Sequence, residues 1–296
     1  MNANYPTPTR LNAVILAAFL SLHVTLFVLA SFVVNPLGVL AIAITFGFLM
    51  NFSYALAHEA QHGILFPNKW LNDAAGVVLF LFFPAPFHLT RQGHLHHHAA
   101  NRTHNETIDL CYPNEPLWWK RIQFYGILTG FFWITVVLGG FVIGLLPNVT
   151  RLRRFFGFDN LTDGLLERLN PRHLPAIRVE LALIVMLHSA ILFALDVPLT
   201  SYVAMYAAFG ISWSTLQYVH HYGTPLDPIE GARNLATCRL IDRLWLNHNY
   251  HLTHHRNPVL PWVYLEEVAT LEGTPRESML RAYLRMWRGP KRIEDL

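Results

Sequence analysis

The chain has 296 residues, 53% hydrophobic and only 14% charged, with a mean hydropathy of +0.29. Soluble domains carry charge on about a quarter of their residues, so this composition excludes an ordinary soluble enzyme and indicates one membrane unit over residues 1–296. The net charge of +3 is what basic loops beside membrane spans produce and requires no nucleic acid. Cys111 and Cys238 can supply neither the four thiolates of an iron–sulfur cluster nor a disulfide framework.

Leu11 to Val34 is an uncharged apolar run, long enough to cross a hydrocarbon core of roughly 30 Å. It is too long for a cleavable signal and reads as an anchor. After the Asn35–Pro36 turn, Leu37 to Ala57 is a second span. Arg10 before the first span, and a turn without Lys or Arg, put the N-terminus in the cytoplasm. The second span ends in His58-Glu59-Ala60-Gln61-His62. Two histidines four apart share a helix face and can point at one ion. A zinc-protease reading fails because the rest of that pattern is missing around Glu59.

Leu71 to Phe87 is apolar but interrupted by Pro84 and Pro86, and it leads into His94-Leu95-His96-His97-His98. His94, His97 and His98, spaced three and one, are expected to gather on one side of a helix, leaving His96 as a bystander. Ile122 to Leu146 is apolar and contains Gly139, Gly140 and Gly144, where breaks are expected. Arg151, Arg153 and Arg154 mark the following segment as cytoplasmic.

Val179 to Leu195 and Leu199 to Val219 form a second hairpin around Asp196-Val197-Pro198, with Arg172 and Arg178 before it and Arg233, Arg239 and Arg243 after. Both hairpins thus open to the cytoplasm. The last span runs into His220 and His221, of which His221 shares a face with Gln217 and is the favoured ligand. The third box is His251-Leu252-Thr253-His254-His255. His23 and His188 lie inside spans and are expected to be hydrogen-bonded core residues. His88, His104, His173 and His248 are assigned no direct role, with His104 and His248 the better placed to support a ligand. At the C-terminus, Thr274-Pro275-Arg276-Glu277 reads as a capping box. The helix expected over about 275–288 carries Met279, Leu280, Tyr283, Leu284 and Trp287 on one face, between arginines, as an interfacial helix would.

The boxes at 58–62, 94–98 and 251–255 form one site only if all lie on one side of the membrane. The stretches 71–87 and 122–146 must then dip in and return, or lie on the surface. The fold class is therefore all-α: two transmembrane hairpins, two re-entrant or interfacial stretches, and a histidine-rich cytoplasmic cap.

Imidazole suits iron, copper, nickel and zinc, while calcium and magnesium want oxygen. Nine ligands, His58, His62, His94, His97, His98, His221, His251, His254 and His255, exceed what one ion uses, so two are implied. Structural zinc would be closed by four ligands, often thiolates. An iron pair with an open position can use O₂. Glu59, Glu106, Asp109, Asn247 and Asn249 are candidates to accept the free N–H of a ligand and fix its ring.

With these residues in hand, residues 37 to 265 resemble the membrane fatty acid desaturase family, whose superfamily also holds alkane hydroxylases, acyl hydroxylases and carotenoid oxygenases. His58 and His62 match its first box, His94, His97 and His98 its second, and His251, His254 and His255 its third. Asn249-Tyr250-His251-Leu252-Thr253-His254-His255 is similar to the N-x-Y-H-x-x-H-H form with one residue fewer. His221-Tyr222-Gly223 is similar to the additional histidine of the alkane hydroxylase branch. The resemblance implies a non-haem di-iron centre, O₂ as co-substrate, and a lipid or fatty acyl substrate. It also implies a separate electron donor: ferredoxin, rubredoxin, or b-type cytochrome with its reductase. The compact length is that of a bacterial member, in the inner membrane with cytoplasmic boxes. Acyl desaturation is the expected reaction, with acyl or alkane hydroxylation at the same centre as its alternative. A metal transporter is the rival from another class, and would place ionisable ligands near the bilayer midplane.

Overall fold

In the computed structural model, which describes residues 5–104, 106–113, 115–146 and 169–295, helix α1 (Thr9–Phe32) and helix α2 (Pro36–Gln61) form the first hairpin. Asn35 starts α2 by accepting from the Gly38 N–H at 2.7 Å, and Pro36 occupies the first helical position, where its missing N–H costs nothing. The 24 residues of α1 rise about 36 Å, enough to span. Leu22, Val24, Phe32, Leu37 and Phe48 stand exposed, as lipid-facing side chains should. His23 sits against the Phe19 carbonyl and Met50 sulfur, and His188 between Leu81 O and the Tyr202 hydroxyl, the core roles expected of them.

Helices α3 (Lys69–Phe82) and α4 (Phe87–Ala100) meet at 100°. The proline pair supplies the break, because Pro lacks the donor that would carry a helix through. Helices α5 (Leu117–Leu128) and α6 (Phe131–Leu145) meet at 94°. Here the expected break is misplaced: α6 runs unbroken through Gly139, Gly140 and Gly144. The bend is at Gly130, with φ +88°, where a Cβ would also lie 2.9 Å from the Ile211 backbone nitrogen. Only glycine satisfies both demands. Gly144 instead lets α6 lie against Leu181. The cluster Arg151, Arg153 and Arg154 falls outside the described residues.

Helix α7 (Leu174–Ser189) continues as one π-helical turn, Ala190–Ala194, and helix α8 (Leu199–Val219) returns. Among the described residues, α1, α2 and Pro171–Ala194 are the helices long and apolar enough to span singly. The segment 199–219, read as a fourth span, forms a full-length helix but falls short in hydropathy. It occupies the bundle centre, where its polar side chains find partners. Ser214 accepts from Trp133 N–H (2.9 Å), Ser212 accepts from Asn51 (2.9 Å), and Tyr206 donates to Phe82 O (2.9 Å). It crosses α2 closely at Gly47, where a Cβ would stand 3.2 Å from the Ala208 carbonyl carbon, a small-residue contact of the kind that joins membrane helices. Phe27, Phe46, Phe80 and Phe209 fill the core around it.

The cap is built from short pieces: α9 (Arg239–Leu244), α10 (His251–Arg256) and α11 (Leu265–Leu271). Two small parallel pairings tie it together. Strand β1 (Leu110–Cys111) pairs with β4 (Lys291–Arg292), and β2 (Asn234–Ala236) pairs with β3 (Arg276–Ser278). The capping box at Thr274 is therefore overturned: Arg276 and Glu277 are strand residues. Helix α12 (Met279–Met286) begins four residues later than that box would start it, with the Ser278 hydroxyl facing Arg281 N–H at 3.4 Å. Pairing wins because Arg276 also donates to Leu235 O and to Asp242. The buried side of α12 is Ala282 and Met286, while Leu280 and Leu284 are exposed.

Candidate metal centre

Helical geometry turns successive residues by about 100°, and this decides how the histidines divide. His58 and His62 close α2 and face one point. On α4, His94 and His98 are four apart and point the same way, while His97 diverges. On α10, His251 and His255 pair and His254 diverges. The result is two groups whose ligand atoms each lie within 4.8 Å of one another: His58, His62, His94, His98 and His254 in one, His97, His221, His251 and His255 in the other. All nine sequence candidates are gathered. The rings of His94, His97 and His98 are neighbours on α4, yet each H-x-x-H-H box gives its four-apart pair to one group and its middle histidine to the other.

Within the first group the His94 Nε2 lies 2.7 Å from His62 Nε2 and 3.1 Å from His98 Nε2, and His98 Nε2 lies 3.0 Å from His254 Nε2. In the second, His251 Nε2 is 3.0 Å from His221 Nε2 and 3.2 Å from His255 Nε2. A metal–nitrogen bond of about 2.1 Å puts adjacent ligand nitrogens roughly 3 Å apart. The His221 Nδ1 is 2.8 Å from Gly231 O, and the His255 Nδ1 is 3.3 Å from Pro228 O. Those carbonyls can only accept, so the ring protons sit on Nδ1 and both Nε2 atoms present lone pairs. One proton on His251 Nε2 could satisfy only one of them, and the buried His58 Nε2 has no hydrogen-bond partner among the described residues. Converging lone pairs out of water repel unless a cation lies between them. The residues fit a pair of imidazole-bound metal ions.

Burial, reinforced by neighbouring positive charge, pushes His62 down to about 3. The same causes hold His221, His251, His254 and His255 well below the ordinary imidazole range. Neutral imidazole is the form that binds metal. His248, pushed down to about 4 by burial, packs edge-on to His58 with ring centroids 4.6 Å apart. His220 is buried but belongs to neither group; its ring lies 4.5 Å from that of His251. His96 lies 3.7 Å from Glu106 and also stands outside both groups. His104 rests on Tyr112, and His88 pairs with Glu180 and stacks on His173, and none of these histidines belongs to either group.

Of the five residues expected to accept a ligand N–H, Glu106 is the one in place, its Oε2 3.3 Å from His97 Nδ1. The other four have different partners. Glu59 accepts from the Trp262 backbone at 3.0 Å, tying the first box to the segment beyond the third. Asp109 pairs with Arg102 and accepts from Tyr218 and Gly223 N–H. Asn247 donates to Trp262 O, and Asn249 to Leu235 O and Asp242. The acceptors actually used by His221 and His255 are backbone carbonyls of the 228–231 turn. No residue type marks a carbonyl acceptor, so sequence patterning had no signal for them.

The fatty acid desaturase family model matches residues 34–288, which takes in both histidine groups and most of the chain. The chain belongs to the fatty acid desaturase family. No curated protein matches it. Membership makes this desaturase-family chain a membrane-associated oxidoreductase acting on lipid, and its histidine groups are the part of the structure that could hold the metal such an enzyme uses.

Proposed function

We propose that the chain oxidises a fatty acyl chain with O₂ at a non-haem di-iron centre, and that the reaction is desaturation. The observation that carries this is the pair of convergent imidazole groups at the ends of membrane helices. His58, His62, His94, His98 and His254 would hold one iron, and His97, His221, His251 and His255 the other. When bound, such ions supply the O₂-derived oxidant needed to break an unactivated C–H bond. The protein's own residues hold the ions and keep the imidazoles neutral. The apolar bundle beneath them, around Tyr54, Phe83 and Trp213, keeps water from the acyl chain. Geometry there sets the position of attack.

Electrons come from a separate donor of the ferredoxin, rubredoxin or b-type cytochrome kind. Cys111 is buried and Cys238 exposed, and they lie far apart in sequence without cluster spacing. The site faces the cytoplasm of a bacterial inner membrane, following the loop charges. Hydroxylation at the same centre is the second reading, favoured by the presence of His221 in the four-histidine group. Metal transport fits less well, since the histidines cluster at helix ends rather than along the spans.

The test is metal content of the detergent-purified protein beside a His97→Ala/His254→Ala double variant, which removes one ligand from each group. About two irons per chain, falling sharply in the variant, support the proposal. One zinc, or metal indifferent to both changes, overturns it. A labelled acyl chain then separates an olefin from an alcohol product.

A further inference from the structure

Asn101 ends α4 immediately after the second box. Its backbone N–H donates to His97 O at 2.7 Å. Its side chain is buried, and Nδ2 lies 3.1 Å from both Pro228 O and Gly231 O. These are the same carbonyls that accept from His255 Nδ1 and His221 Nδ1. The Thr224 hydroxyl also donates to Gly231 O, at 2.9 Å. One residue therefore connects to three of the four histidines in the second group: His97 through its main-chain N–H, and His221 and His255 through its carboxamide and the oxygens that fix their rings. None of these contacts reaches the five-histidine group.

We propose that Asn101 is a positioning residue for the four-histidine site, and that its carboxamide sets the affinity of that site separately from the other. The inference rests on the two-ion reading. The carboxamide has two N–H donors and the turn offers two carbonyls, so each hydrogen takes one oxygen. This fixes the spacing of the carbonyls, and with it the aim of the His221 and His255 Nε2 atoms. Without the donors, the 224–231 turn keeps its other contacts, but its carbonyls are free to rotate. The two rings then lose their common focus. Groups that orient metal ligands from behind are worth 10–100-fold in affinity, by order of magnitude.

The experiment strips the full-length protein of metal in detergent and titrates it anaerobically with Fe(II). Wild type is compared with Asn101→Leu, which keeps the shape and removes the donors, and with the smaller Asn101→Ala should the leucine variant fail to fold. Each is also placed in His97→Ala and His62→Ala backgrounds. The expected result is one ion bound as in wild type and one weakened about 10–100-fold. The Asn101 change should add little beside His97→Ala, yet loosen the remaining ion beside His62→Ala. Equal weakening of both ions would show general loosening and overturn the inference, as would two ions bound with wild-type affinity. Fewer than two ions in wild type would sink the two-ion reading itself, a result visible before any variant is measured.

Discussion

Asp109 and Arg102 are the buried ion pair that holds the second box to the His221 turn, each with a side chain only 2% exposed. The carboxylate also accepts from the Tyr218 hydroxyl and from Gly223 N–H, both at 2.6 Å. In Asp109→Ala the guanidinium keeps Thr224 O at 3.0 Å, Pro225 O at 3.4 Å and the Tyr218 oxygen at 3.1 Å, but no negative charge. Removing one partner of a buried pair costs about 3–5 kcal/mol. Asp109→Asn also loses the charge but keeps an oxygen to accept from the guanidinium and Tyr218, so the cost falls toward the roughly 1.5–3 kcal/mol of a charge-assisted hydrogen bond. In the cycle Arg102→Met, Asp109→Leu and their combination, the double variant should lose less than the sum of the singles by about 0.5–3 kcal/mol. Equilibrium unfolding in mixed micelles measures all of these. A cost below about 1 kcal/mol for Asp109→Ala, or additive singles, would show that the pair is solvated and refute the reasoning.

Glu106→Gln removes the negative acceptor behind His97, and should weaken one ion by about 10–100-fold while sparing the other; Fe(II) titration reads this directly. Gly144→Val forces branched carbons into Leu181 between α6 and α7, and overpacking of this kind costs about 1–3 kcal/mol. Gly139→Val, with none of the described residues within 4 Å of its Cβ position apart from its own helix, should cost far less. The difference in thermal stability between the two in detergent checks the packing of α6.

The sequence by itself determined the class of the molecule, because apolar length and histidine spacing are local properties. The spans over 11–34 and 37–57 read directly as α1 and α2. All nine histidines were candidates in the sequence, His58 and His62 from their four-apart spacing, six from the two H-x-x-H-H boxes, and His221 from its place at the end of the last span, because such short-range spacing fixes a helix face whatever the rest of the chain does. The division of each box between two groups was implicit in the 100° turn per residue, but not which group His97 or His254 would join. That depends on where α4 and α10 lie relative to α2. Gly130 was indistinguishable in sequence from Gly139 as a bend, and only the approach of Ile211 selects it. The strand at Arg276–Ser278 displaced a good capping signal because a partner strand 42 residues earlier, Asn234 to Arg276 in register, offered its backbone hydrogen bonds. The carbonyls of Pro228 and Gly231 carry no residue signature, because every residue has one. Tertiary structure alone decides which of them stands behind a histidine, and Asn101, which grips both, becomes visible only once they are in place.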